Sequence, residues 1–294
     1  MKLSKWLKEN TSSLTGRTVA ITGSTGGLGR ELVLYLASLG ASLVLLDRNK
    51  DRQAKVSSYV LSKYPNADIR TLTLDLENMQ SVKAAADALL DIGIDAFIHN
   101  AGAYSIPRHK TNEGFDNVFA INFLSPYYMI RKLLPMLEAR GGRVVVVGSI
   151  AHNYSHIDPM DIDFSGRKQA SKVYGNAKRY LTYSLYPLFE GSDAKLAVTH
   201  PGITFTNITA HYPKLIYAVI KYPMKIIFMK PRRAALSILR GMFLETESYT
   251  WIGPRLFDVW GLPKKKALKT ADEAEREKIR DIAEELYKKL DGLS

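Results

Sequence analysis

The amino-acid sequence predicts an α/β fold: a doubly wound parallel sheet with helices on both faces. Short apolar runs of strand length alternate with longer helical stretches from residue 17 to residue 199. Strands separated by helices imply crossover connections, which make the strands parallel and cover both faces of the sheet. The polar and glycine-rich motifs directly follow the strands, at the carboxyl ends where such sheets bind ligands.

Six apolar runs are the predicted strands, over residues 17–22, 42–46, 68–74, 94–98, 143–147 and 195–199. Helices are predicted over residues 28–39, from the second strand through 59, and over 79–90, 114–119, 122–139 and 168–189. Gly40 is expected to end the first of these helices as a C′ glycine. Pro135 is expected to end or kink the helix over 122–139.

Length and composition favour one large domain over residues 1–294, since 294 residues with 46% hydrophobic content can bury a full core. The lack of cysteine excludes disulfides and thiolate metal sites. No run approaches the roughly 20 apolar residues of a spanning helix, and residues 1–10 resemble an amphipathic helix more than a signal peptide, so a cytoplasmic protein is expected. Because its basic residues are scattered, the formal charge of +12 favours an anionic cofactor or a membrane surface over nucleic acid.

A glycine-rich turn follows the first predicted strand and opens the first long helix. Glycines there let backbone N–H groups approach a pyrophosphate at the positive end of the helix. The alternative is a tight turn that merely needs a positive φ. The turn residues predicted to contact a dinucleotide are Gly23, Ser24, Thr25, Gly27, Leu28 and Gly29.

Acidic residues end the next two predicted strands. Asp47 is placed to accept hydrogen bonds from an adenosine ribose and to repel a 2′-phosphate, which favours NAD. Arg48 follows and could pair with that phosphate, which leaves NADP open. Asp75, beside Leu76, is predicted to meet the adenine edge or to cap the next helix. The sequence therefore favours NAD as cofactor, with NADP as the alternative.

Tyr174 and Lys178 lie four residues apart in a predicted helix, a spacing that puts their side chains on one face. A phenol has a pKa of about 10 and is a poor proton carrier near neutrality. One ammonium at about 4 Å supplies on the order of 4 kcal/mol at an effective dielectric of about 20, enough to lower that pKa by about three units. The pair is therefore a candidate acid–base centre, with a solvated helix face as the alternative.

These motifs occur in one order along the chain: the glycine turn, Asn100-Ala101-Gly102, Asn122, Ser149, Tyr174 with Lys178, and Pro201-Gly202. In that combination, over about residues 16–202, the chain resembles the short-chain dehydrogenase/reductase superfamily. The resemblance implies a Rossmann-type sheet and an NAD(P)-dependent oxidoreductase acting on a hydroxyl or carbonyl group. Two departures are His99, where the family often has asparagine, and Ala177, where serine often precedes the lysine.

The family's tetrad falls on Asn122, Ser149, Tyr174 and Lys178, and the resemblance implies a role for each. Tyr174 exchanges the proton, Lys178 lowers the phenol pKa and binds the nicotinamide ribose, Ser149 holds the substrate oxygen, and Asn122 orients a water. Capping remains the alternative for Ser149 and Asn122. Cofactor contacts are also implied for Asn100, Ala101, Gly102, Tyr174, Lys178, Pro201, Gly202, Ile203 and Thr206.

The long interval between Ser149 and Tyr174 and the runs 149–152, 162–164 and 200–206 are most similar to the retinol-dehydrogenase-like branch. That similarity implies a lipophilic alcohol, aldehyde, ketone or steroid as substrate, and the superfamily implies a homodimer or tetramer. A non-catalytic dinucleotide sensor and a related lyase or epimerase are the alternatives. The histidines lack metal-ligand spacing, so no metal is expected; the histidines interpreted as polar or pocket-edge residues are His99, His152, His156, His200 and His211.

A helical insertion is predicted after the sixth strand, over residues 203–233. Residues 211–233 are aromatic, aliphatic and basic together, which fits two short helices forming a substrate lid, an interfacial membrane anchor or a dimer contact. Residues 271–290 are predicted to form a charged amphipathic helix that closes the domain.

Overall fold

The structure, a computed structural model, describes residues 3–202, 229–268 and 270–292. Within these residues one eight-stranded sheet has the order β3-β2-β1-β4-β5-β6-β7-β8. The strands are β1 (Thr18–Thr22), β2 (Ser42–Asp47), β3 (Ile69–Thr73), β4 (Ala96–His99), β5 (Arg143–Val147), β6 (Lys195–Thr199), β7 (Thr250–Leu256) and β8 (Trp260–Ala267). Every pairing is parallel except the antiparallel pairing of β7 with β8.

The helices follow the predicted alternation with the strands. They are α1 (Leu3–Asn10), α2 (Gly27–Ser38), α3 (Lys50–Lys63), α4 (Met79–Ile92), α5 (Asn117–Phe119), α6 (Ser125–Ala139), α7 (Ala170–Leu188), α8 (Pro231–Gly241) and α9 (Glu273–Asp291). A π-helical turn, Ala120–Leu124, joins α5 to α6, and a 3₁₀ helix covers Ile150–Tyr154. None of the helices in the described ranges is long and apolar enough to cross a lipid bilayer.

The six predicted strands are confirmed to within two residues at each end, and the parallel, doubly wound sheet is confirmed with them. Alternate strand residues face opposite sides of the sheet and build two cores. Helices α4, α6, α7 and α9 cover one core, and α1, α2, α3 and α8 cover the other. Chain order reverses between β1 and β4, so the ligand crevice is expected at the carboxyl ends of these two strands.

Pro135, which was expected to end or kink its helix, does not end it, because α6 continues to Ala139. Strands β7 and β8 were not predicted from the sequence. Gly253 and Pro254 lie within β7, although this pair of residues is typical of a turn. The strand register shifts beside Pro254, and a strand tolerates proline at such an irregularity.

The C-terminal helix α9 is fixed to α7 by a buried ion pair that no local pattern could have indicated. The fully buried guanidinium of Arg179 donates to both carboxylate oxygens of Glu275 and to the carbonyl oxygen of His152. Burial on its own raises the pKa of Glu275, but the hydrogen bond and charge of Arg179 outweigh burial and lower that pKa. The pair therefore stabilises the fold above the ordinary glutamate pKa, and this stabilisation is lost as the pH falls through the lowered value.

Replacing Glu275 with glutamine is expected to lower the free energy of unfolding by about 3–5 kcal/mol, because it leaves the Arg179 charge buried without its counter-charge. Urea unfolding at neutral pH measures the loss. The matched control is Glu285→Gln on the exposed face of α9, which should change stability by no more than about 0.5 kcal/mol. Equal, small effects of the two substitutions would contradict the structural role of the pair.

Candidate active site

The glycine turn packs so closely against its surroundings that side chains are excluded. Gly23 has φ +71°, and a Cβ atom there would lie 2.9 Å from the Cα atom of Ala101. A Cβ on Gly29 would lie 2.1 Å from the carbonyl oxygen of Gly23. The turn therefore needs glycine at both positions, and its backbone and the N-terminus of α2 are placed to receive an anion.

Asp47 faces this turn. Its carboxylate accepts hydrogen bonds from the backbone N–H and hydroxyl groups of both Ser24 and Thr25. Burial raises the pKa of Asp47, and these hydrogen bonds oppose the rise. The carboxylate thus positions the turn, a role that the sequence did not indicate, while it also lines the adjoining cavity.

Asn100 also holds the turn in place. Its side-chain amide donates to the carbonyl oxygens of Thr22 (3.1 Å) and Gly23 (3.0 Å). The Thr22 hydroxyl oxygen accepts from the backbone N–H groups of Asn100 and Ala101 and lies 3.1 Å from Nδ1 of His99. With its oxygen accepting twice, the hydroxyl is free to donate its proton to Nδ1. His99 is therefore a buried residue that links β4 to β1, which agrees with its interpretation as a polar residue.

A cavity of about 720 Å³ runs along the carboxyl ends of β3, β2, β1 and β4. This volume is typical of small-molecule sites. Residues expected to contact a dinucleotide line it: Gly23, Thr25, Asp47, Arg48, Asp75, Leu76, Ala101 and Gly102. Asp75 does not cap α4, because that cap is formed by Asn78, whose side chain accepts from Gln80 and Ser81.

The catalytic candidates converge beyond Gly102. Tyr174 and Lys178 lie on one face of α7, with Nζ of Lys178 5.7 Å from the centre of the tyrosine ring. Nζ donates to the carbonyl oxygen of Val147 at the end of β5 (2.9 Å). Ser149, two residues later, hydrogen-bonds the Tyr174 side chain and also accepts from the N–H of Ala151, so Ser149 is a helix cap as well.

Asn122 lies inside the π-helical turn and is fully buried, so the alternative that it caps the start of a helix was wrong. Its amide donates to the carbonyl oxygens of Ala103 and Val118, both at 2.8 Å. A Cβ on Gly102 would lie 2.9 Å from Oδ1 of Asn122 and 3.6 Å from Nζ of Lys178. Asn122, Lys178 and the cavity therefore meet at Gly102, and the extra residue of the π turn is the local irregularity that places Asn122 there.

The pKa values at this centre differ from the sequence expectation. Burial lowers the pKa of Lys178 to about 7. Burial raises the pKa of Tyr174 to about 12, although the hydrogen bond from Ser149 lowers it in part. The expected depression of the phenol pKa by Lys178 is therefore absent in this arrangement, and desolvation is the dominant effect on both groups.

An apolar cluster surrounds the ring of Tyr174, which sequence patterns did not indicate. Val118, Phe164 and Val173 form its buried part, and Ile106 packs against it. The ring of Tyr104 lies edge-on to that of Tyr174, with centres 5.3 Å apart. Ile106 is the member of this cluster that also lines the cavity, so it can present an apolar surface to a ligand there.

His152 and His200 are buried beside Trp251. His156 is exposed. Pro201 and Gly202 follow β6 at the same edge of the sheet, and Gly202 has φ +81°. Ile203, Thr206 and His211 lie outside the described residues. The same holds for residues 211–228 of the segment predicted over 211–233.

Comparison with known proteins bears on this site. A family model described as short chain dehydrogenase matches residues 17–160. Dehydrogenase/reductase SDR family member 13 of Bos taurus is 30% identical over 76% of this chain and 61% of its own length. Retinol dehydrogenase 13 of Homo sapiens is 28% identical over 68% of this chain and 62% of its own length. An uncharacterised oxidoreductase of Schizosaccharomyces pombe is 30% identical over 80% of this chain and 74% of its own length.

The chain thus spans about three fifths of the length of the first two relatives. Among solved structures, an uncharacterised protein from Mycobacterium paratuberculosis has a TM-score of 0.78 and 24% identity, covering 95% of this chain and 96% of that one. This likeness supports the fold.

Replacing Lys178 with methionine removes an amine whose charged form is disfavoured by burial, so the variant should be more stable than the wild type at pH 7. Its melting temperature is expected to rise by a few degrees, since about 1 kcal/mol corresponds to about 2–4 °C at this size. Between pH 7 and 10 the unfolded chain binds the lysine proton more tightly than the folded protein, so wild-type stability rises with pH in that window. The variant should lack this rise, so its advantage should narrow towards pH 10.

Thermal unfolding at several pH values measures the difference, with Lys172→Met at an exposed position of α7 as control. A lower melting temperature for Lys178→Met at pH 7, or identical pH dependence in both variants, would contradict the buried-ammonium interpretation.

Proposed function

The chain belongs to the short-chain dehydrogenase/reductase family, and from that premise we propose that it is an NAD(P)-dependent oxidoreductase acting on a hydroxyl or carbonyl group. One observation carries the proposal: Tyr174, Ser149 and Lys178 converge at the carboxyl edge of the sheet, where the cavity reaches Gly102. The glycine turn and the volume of the cavity fit a dinucleotide. When bound there, the nicotinamide supplies the carbon that gives or takes the hydride.

Each member of the tetrad has a role that fits its contacts. The Tyr174 hydroxyl exchanges the proton with the substrate oxygen. Ser149, already bonded to that hydroxyl, holds the same oxygen and stabilises its developing negative charge. Lys178 supplies positive charge to the phenol and donors to a ribose. Asn122 positions the backbone around Gly102 and orients a water beside Lys178.

The pKa values give the two directions of reaction different pH dependence. With its pKa raised to about 12, Tyr174 is protonated at neutral pH and is ready to donate to a carbonyl oxygen. Alcohol oxidation needs the phenolate, which a protonated Lys178 stabilises. A bound dinucleotide is anionic, so it raises the pKa of Lys178 and keeps the ammonium charged. Carbonyl reduction is thus favoured at neutral pH and alcohol oxidation at higher pH.

The substrate we propose is a lipophilic alcohol, aldehyde, ketone or steroid. Support comes from the apolar cluster of Val118, Phe164 and Val173 beside the Tyr174 ring, together with Tyr104. Four relatives bear the name retinol dehydrogenase, and retinol is a lipophilic alcohol. We further propose a cytoplasmic or membrane-peripheral protein that assembles as a homodimer or tetramer, as the family resemblance implies.

For the cofactor we propose NAD rather than NADP. Arg48 lies within 4 Å of Asp75 (3.9 Å) and Glu77 (3.6 Å), which offset its charge. Three carboxylates, those of Asp47, Asp75 and Glu77, line the same end of the cavity as the two guanidiniums of Arg48 and Arg52. This balance leaves no excess positive charge for a 2′-phosphate.

Replacing Tyr174 with phenylalanine is expected to reduce turnover at least about a hundredfold, the lower range of general acid–base contributions, because the proton donor is removed. Dinucleotide binding should change little, since the glycine turn is untouched. Steady-state assays over a panel of lipophilic alcohols and ketones, with calorimetric cofactor titration, measure both effects. Tyr154→Phe, an exposed tyrosine, is the control. Binding without turnover in the wild type would favour a dinucleotide sensor.

Replacing Asp47 with asparagine tests the cofactor preference. Removing the negative charge is expected to raise the ratio of NADP to NAD affinity about tenfold, a change of about 1.4 kcal/mol. Both affinities should also fall, because Asp47 holds Ser24 and Thr25 in place. Calorimetric titration of wild type and variant gives the ratio. An unchanged ratio with lower affinities would confine Asp47 to positioning the turn, and tighter binding of NADP by the wild type would refute the preference for NAD.

A further inference from the structure

The hairpin formed by β7 and β8 extends the sheet at the same edge as the candidate active site. Because β7 runs parallel to β6, its carboxyl end at Leu256 lies on the side where Gly202 follows β6. A Cβ on Gly202 would lie 2.7 Å from the carbonyl oxygen of Val259 and 2.9 Å from the ring of Pro254. The hairpin therefore packs against Gly202 at the active-site edge of the sheet.

This tip exposes large apolar side chains. Phe257 is 86% exposed, Leu256 52%, Trp260 40% and Leu262 37%. In the part of the chain that the structure describes, eight large hydrophobic residues are exposed, and these four fall within seven consecutive positions. Such clustering marks an interaction surface, whereas scattered exposed residues need no explanation.

The turn is held in a conformation that keeps Phe257 outside. Phe257 and the following Asp258 have φ +51° and +57°, values that side chains larger than glycine rarely adopt. Nζ of Lys266 fixes the turn by donating to the Asp258 carboxylate and to the carbonyl oxygen of Pro254, both at 2.8 Å. An outlier fixed in this way suggests a functional constraint, since the backbone strain is maintained by specific contacts.

Positive charge lies directly behind the apolar tip. Strand alternation puts Trp260, Leu262 and Lys264 on one face of β8, with the aromatic ring nearest the turn. Residues 250–268 carry four cationic side chains and one carboxylate. Lys266 pairs with that carboxylate, Asp258, and Lys265 pairs with Glu247, so Arg255 and Lys264 are the two cations that these ion pairs do not involve. Apolar and aromatic groups in front of a cationic band are the pattern of proteins that bind the interface of an anionic bilayer.

We propose that the tip of the β7–β8 hairpin, residues 255–264, docks on the surface of an anionic lipid membrane. The four exposed apolar side chains of the tip, Leu262 included, enter the interface between head groups and acyl chains, and Arg255 and Lys264 contact the head groups. The docking stands independently of the proposed enzymatic function. Where that function holds, docking brings the mouth of the active site to the phase in which a lipophilic substrate dissolves.

A second copy of the chain fits this surface less well. A stable protein interface involves about 20–30 residues on each partner, and the tip comprises about ten. Pairing along the outer edge of β8 is opposed by Pro263 and the lysines beside it, because proline and lysine are the residues that protect edge strands.

Tryptophan fluorescence tests the proposal directly. The chain has three tryptophans, and Trp6 and Trp251 are only 3% exposed, so lipid contact is reported by Trp260. Full-length protein is titrated with vesicles of phosphatidylcholine alone and of phosphatidylcholine mixed with phosphatidylserine. A shift of emission to shorter wavelength is expected with the anionic vesicles, together with quenching by brominated acyl chains. Both signals should weaken at high salt and vanish in Trp260→Phe.

Co-sedimentation with the same vesicles tests the individual contacts. The double substitution Phe257→Ser and Leu262→Ser is expected to weaken binding about tenfold or more, because two apolar side chains leave the lipid phase. Its control is Met160→Ser, at a 94% exposed methionine outside the hairpin. Lys264→Glu should weaken binding to anionic vesicles only, and Lys55→Glu on α3 is its control.

Three outcomes would overturn the proposal. The first is no spectral shift and no co-sedimentation with anionic vesicles at low salt. The second is equal loss of binding in Met160→Ser and the Phe257/Leu262 double variant. The third is vesicle binding unaffected by the hairpin substitutions while sedimentation velocity shows that they dissociate a dimer, which would assign the tip to a second copy. Unchanged melting temperatures confirm that the variants are folded.

Discussion

The buried ammonium of Lys178 is the constraint on which the rest of this site depends. It lies in the interior at the end of β5, donating to the carbonyl oxygen of Val147, and burial alone lowers its pKa to about 7. A charge in such a place is costly unless something offsets it. The cavity beside the glycine turn reaches Gly102, where a Cβ atom would lie 3.6 Å from Nζ of Lys178, so an anionic ligand bound in the cavity would offset this charge.

Close packing at Gly102 explains why so many special residues meet at one edge of the sheet. Asn122 reaches this point only because a π turn displaces it from regular helix geometry. Asp47 at the end of β2 and Asn100 directly after β4 hold the glycine turn from the two strands that flank β1. The elements around the cavity are thus cross-linked by polar side chains, so the site is positioned by hydrogen bonds that do not depend on any ligand.

Local patterns made much of this predictable. The glycine turn, the six central strands and the spacing of Tyr174 and Lys178 each depend on neighbouring residues, and the structure confirms them. Features that depend on distant partners were not predictable. The orientation of Asp47 depends on donors in another loop, and Arg179 meets Glu275 across 96 positions. Strand β8 lacks apolar alternation because its glycine, proline and lysines suit an exposed edge.

The Lys178 amine has a lowered pKa that an anionic cofactor is expected to restore, and this pKa can be measured at a single atom. Protein labelled with ¹³C-lysine, titrated by NMR and assigned with Lys178→Met, gives that pKa directly. One ε-carbon resonance is expected to titrate near pH 7 and to move to higher pH when NAD is added. If every lysine of the wild-type protein titrates near its ordinary value of about 10.4, with and without NAD, the buried ammonium and the catalytic centre built around it are contradicted.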